Sequence, residues 1–116
     1  MTIYELLNKY YLHDSLVEKI LYENNTVELT IDFCFWMQEG YREGDPETGI
    51  IHLRFPDVRN MSGPIGNIND YSILETDYHD RCFSLLLMDD FNNTCYELKI
   101  ISSSETLELH LSQDTR

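Results

Sequence analysis

A chain of 116 residues, 42% hydrophobic and 25% charged, has the size and composition of one folded domain rather than of a disordered or fibrous segment. Twenty-one acids against eight lysines and arginines give a formal charge of −13, a field that repels nucleic-acid phosphates and anionic lipid. Apolar runs such as Leu85–Met88 are far too short to cross a bilayer, and the N-terminus lacks a basic-then-apolar leader, so a cytoplasmic location is expected.

Residues 2–11, TIYELLNKYY, place Ile3, Leu6, Leu7 and Tyr10 at the spacing of one helical face. Thr2 and Glu5 have the spacing of a capping box, in which each side chain satisfies a free amide at the helix start. From Ser15 the period becomes that of a strand, and Asn24-Asn25 supplies residues that tolerate positive φ for a tight hairpin. The strongest pattern follows. In residues 26–37, Val27, Leu29, Ile31, Phe33, Phe35 and Met37 alternate with Glu28, Thr30, Asp32, Cys34 and Trp36. One apolar and one polar face predict a strand of an antiparallel sheet.

Residues 38–48 are rich in Gly, Pro and acids and read as a loop. GIIHLRF (residues 49–55) alternates again, with His52 and Arg54 outward. Residues 56–70 hold two prolines and two glycines and are expected to be irregular, a candidate functional loop. YSILETDY reads as a short strand. RCFSLLLMD, TCYELKII and TLELHLS supply three more, the last with Glu108 and His110 on its polar side. The whole defines a single α+β domain, an N-terminal helix followed by about six or seven antiparallel strands. The helix covers the inner face, or the sheet curls into a partly open barrel, or both.

The histidines invite a metal or acid–base reading, because YLHDS (11–15) and DYHDR (77–81) each contain an adjacent His-Asp pair. Both pairs fall at element junctions, where Asp and Ser ordinarily bond nearby amides, so two turns are the preferred reading. A small hydrolase built on His13, Asp14, His79 and Asp80 is the alternative, and it requires the two turns to meet. Cys34, Cys82 and Cys95 have no metal-ligand spacing and read as reduced thiols on strands. No phosphate cradle or nucleophile elbow is present, and the acidic loop 43–47 lacks the alternating ligand pattern of a calcium site. No cofactor or metal is expected. Trp36 is the most informative single residue. Alternation sets it on the polar face with Glu28 and Asp32, the composition of an interface anchor for a basic partner. Burial of Trp36 under residues 56–70 is the other reading.

LHDS (Leu12–Ser15) after a short helix, together with IHLRFPDV (Ile51–Val58), resembles a group of small, mostly uncharacterised bacterial proteins. These carry an LHDS-type motif and a β-rich body with an L-x-F-x-x-V segment, and some are regarded as immunity proteins of contact-dependent or polymorphic toxin systems. The resemblance covers about two-thirds of the chain by pattern, on short motifs of low specificity. It implies no catalytic residues. The expectation is therefore a non-enzymatic acidic module that binds a basic protein such as a toxin, using Trp36 with Glu28, Asp32, Glu97 and Glu108. A homodimer joined through strand edges is the further alternative.

Overall fold

The computed structural model describes residues 1–112. The helix α1 (Ile3–Lys9) is followed by eight strands: β1 (Leu16–Glu23), β2 (Thr26–Cys34), β3 (Thr48–Phe55), β4 (Val58–Ser62), β5 (Gly66–His79), β6 (Cys82–Asp89), β7 (Thr94–Ser102) and β8 (Glu108–Leu111). All pair antiparallel in one open sheet of order β4-β7-β6-β5-β1-β2-β3-β8. The α+β class holds, with eight strands where six or seven were expected.

Local chemistry accounts for the elements read most securely. Thr2 caps α1: its hydroxyl accepts from the Glu5 amide at 3.0 Å, and the Glu5 carboxylate accepts from the Thr2 amide at 3.0 Å. Asn24 and Asn25 turn the β1–β2 hairpin with φ of 51° and 58°, the left-handed pair that matches the twist of the strands. Val27, Leu29, Ile31 and Phe33 are fully buried.

The 56–70 segment corrects the expectation of irregular structure. It contains β4 and the first residues of β5. Its prolines and glycines punctuate strands instead of abolishing them. Gly63 takes φ +125°, and a Cβ there would lie 2.9 Å from the Glu97 carbonyl, so the turn presses on β7. YSILETDY is likewise the end of a fourteen-residue strand with a bulge between Ile73 and Glu75.

Pro56 and Asp57 join β3 to β4, although these strands occupy the seventh and first places in the sheet. So short a link is possible only because the sheet curls back on itself. Phe55 of β3 accordingly meets Phe83 of β6, with ring centroids 5.1 Å apart. The core fills the curl, and α1 lies across its mouth. Ile3 and Leu6 are buried, Tyr4 sets its edge against Tyr78, and Tyr10 does so against Phe33. The sheet does not close: β4 and β8 are its edges.

Candidate functional site

Strand β2 ends earlier than its alternation predicts. Alternation extended it to Met37, but the strand stops at Cys34 and Phe35–Met37 form a 3₁₀ turn. The reason is tertiary. At this level β1 has ended, and the Cys34 amide donates to the buried Ser15 hydroxyl at 3.0 Å instead of to a strand. The Phe35 ring swings over Gly49, where a Cβ would lie only 2.6 Å from it. Gln38 then braces the turn. Its side-chain amide donates to the carbonyls of Tyr11 (2.7 Å) and Cys34 (2.9 Å), and its oxygen accepts from the Tyr11 amide at 2.7 Å. Trp36 therefore stands on a braced turn and not on the polar face of β2. It is 52% exposed, so it is not covered by residues 56–70 either.

The brace ties Trp36 to the exit of α1, the stretch YLHDS. Leu12 is buried in the core, and Asp14 takes φ 65° and donates its amide to the Ile73 carbonyl at 2.9 Å. Ser15 reaches Cys34 as described. Tyr11 is left 54% exposed, and the His13 ring stacks on it at 5.6 Å. His13 Nδ1 lies 3.3 Å from the Asp14 carboxylate without hydrogen-bond geometry, and that nitrogen is otherwise buried and unpartnered. Burial is the main cause holding the Cys34 thiol above its ordinary pKa, which makes it a poor nucleophile.

Beside this exit opens a groove of about 570 Å³. Leu7, Tyr10, Tyr11 and His13 form one wall, and the bulged stretch of β5 with β6 and β7 forms the other. Glu75, Leu86 and Glu97 make one cross-strand row there, with Asp77 beside them. The charged side chains of the lining are thus carboxylates, although Lys99 sits 3.3 Å from Glu97. Sequence reading found Glu97 and missed Glu75, Asp77 and Tyr11. The outward alternation of Glu75 and Asp77 was the available signal, but the bulge concealed which wall they join.

Of the other acids expected at the site, Asp32 stays close to it, opposite Leu16 and near enough to act on the Cys34 thiol, whereas Glu28 and Glu108 lie elsewhere. Glu28 and Glu108 flank Arg54 on the outer face of β2-β3-β8, at 3.3 and 3.7 Å. Asp32 lies four residues from Glu28 along β2, about 13 Å. Glu97 is four strand spacings from β2, about 19 Å along the sheet, and the curl turns the two outer faces apart. The five residues do not form one patch. The two His-Asp pairs are also separate. Asp14 bonds to Ile73, while His79 ends β5 six residues further on, about 20 Å away, and Asp80 opens the turn to β6. Among the described residues, no group of three or more His, Cys, Asp or Glu side chains is arranged to hold a metal ion, and no helix is long and apolar enough to cross a membrane. No protein-family model, curated protein or solved structure matches the chain.

Proposed function

We propose that the chain is a non-enzymatic binding module that occludes a basic protein, in the manner of an immunity protein against a toxin. The contact surface is the end carrying Tyr11, His13, Trp36 and the acid-lined groove. One observation carries the reading: two large aromatic side chains stand half exposed on backbone that Gln38 holds rigid, beside carboxylates, in a protein of charge −13. Rigid aromatics give buried area at small entropic cost, and the acids steer a cationic partner and set its orientation. Asp77, Glu75 and Glu97 take this role in place of Glu28 and Glu108, because they line the groove beside Tyr11 and His13 while the latter lie around Arg54.

A pull-down from lysate of the native host tests it, with washes at about 50 and 500 mM salt, which shorten the Debye length severalfold. The expected result is one basic protein retained at low salt and lost at high salt, with Trp36→Ala and Tyr11→Ala each weakening binding at least tenfold. Equal binding by both variants would sink this surface, and a partner indifferent to salt would sink the electrostatic argument. The open edges β4 and β8 support a second reading, a homodimer through strand pairing, which light scattering distinguishes. The separation of the two His-Asp turns gives the hydrolase reading no such support.

A further inference from the structure

Of the four histidines, His13 and His79 lie at opposite ends of the β5 wall, and the other two form a facing pair. His52 on β3 and His110 on β8 are direct register partners, both on the outer face of the sheet. Side chains so placed have Cβ atoms about 5 Å apart, a span across which two imidazoles can close on one ion. The ring of His52 is already oriented. Its Nδ1 lies 3.4 Å from the Thr30 hydroxyl, and in the tautomer that donates there Nε2 carries the free lone pair. This is the arrangement by which metal-bound histidines fix their tautomer and ring plane.

The surroundings favour a cation. Arg54 and Lys19 are the neighbouring positive groups. Arg54 is held between Glu28 and Glu108, and Lys19 lies one strand further off, opposite Thr30. Glu108 also reaches His110, with its carboxylate 3.5 Å from Nε2. The protein as a whole carries −13, which concentrates divalent cations at its surface.

We propose that His52 and His110 form a two-imidazole chelate for a borderline divalent cation, Cu²⁺, Ni²⁺ or Zn²⁺, with water completing its coordination. The order of affinity follows the usual one for nitrogen donors, copper above nickel and zinc, and the oxygen-seeking Mg²⁺ and Ca²⁺ are excluded. The bound ion clips the four-residue edge strand β8 onto β3.

The test uses the untagged chain at about pH 7.5. Substoichiometric Cu²⁺ should broaden the amide resonances nearest His52 and His110 first. Calorimetry with Ni²⁺ and Zn²⁺ should show one site, weakened at least tenfold by His52→Gln and by His110→Gln, and unchanged by His13→Gln or His79→Gln. Amide exchange in β8 should slow with Zn²⁺ in the parent and not in His110→Gln. Glutamine keeps both positions polar and exposed, and the amide spectrum of each variant verifies its fold. Broadening centred on His13 or His79 would overturn the chelate. So would loss of affinity in only one of the two key variants, or an equal response to Mg²⁺.

Discussion

At the exit of α1, Leu12 is buried, Asp14 holds a left-handed φ of 65°, and the Ser15 hydroxyl accepts from Cys34, nineteen positions along the chain. At the β5–β6 turn, Asp80 and Arg81 take φ of 49° and 62°, and the side chains of His79 and Asp80 are 80% and 88% exposed. Each stretch contains Tyr, His and Asp, and each His lies near its own Asp, at 3.3 and 3.2 Å. The first is a junction that joins helix, β2 and β5. The second is the tip of a two-residue hairpin. A His-Asp dipeptide carries no chemistry by itself; its neighbours in space assign it one.

Four changes break or sharpen this contrast. Leu12→Ala opens the core at the junction and should cost about 2–5 kcal/mol in denaturant unfolding, whereas His79→Ala at the tip should stay within about 0.5 kcal/mol. A comparable loss at both positions would remove the distinction. Ser15→Ala strands the Cys34 amide without its acceptor and should cost about 1–3 kcal/mol. Alkylation of buried Cys34 in the parent should lag far behind that of exposed Cys95, and Ser15→Ala, which removes a bond that lowers the Cys34 pKa, should not speed it. Thr2→Ala removes the cap that starts α1 and should cost about 1 kcal/mol.

The smallest effect is a titration. Hydrogen bonding with the Thr2 backbone is the leading cause holding the Glu5 carboxyl below its ordinary value of 4.5. A depressed folded-state pKa stabilises above the unfolded value and loses that contribution as pH falls through the folded one. The protection factor of the Thr2 amide, which removes the intrinsic pH dependence of exchange, should therefore fall as pH drops below about 4.5 in the parent, and Glu5→Gln should abolish that fall.

Local rules made several elements legible in the sequence: the Thr2–Glu5 box, the Asn24-Asn25 turn and the alternation from Val27 to Phe33 each depend on residues a few positions apart. The departures depend on distant partners. Phe35 leaves the strand because Ser15 and Gly49, both outside its sequence window, receive this end of β2, and because Gln38 three positions on is locked to distant Tyr11. Residues 56–70 form strands because β7 and β1 offer pairing to both halves. Trp36 was legible as an exposed aromatic and not as a neighbour of the α1 exit. Glu75, Leu86 and Glu97 become one row only through two strand pairings, one of them at a bulge.

The pairing of β1 with β5 also sets the order of events during synthesis. Leu16 lies opposite Ser72, fifty-six positions later, so the central seam of the sheet cannot form until β5 has left the ribosome. Until then β1, β2 and β3 form a meander whose apolar row, Val27, Leu29, Ile31 and Phe33, has no covering layer. Non-local closure of this kind makes folding slow and exposes the nascent chain to aggregation. Translation pauses before β5 should therefore lengthen chaperone occupancy of the emerging meander, whereas pauses after β6 should not.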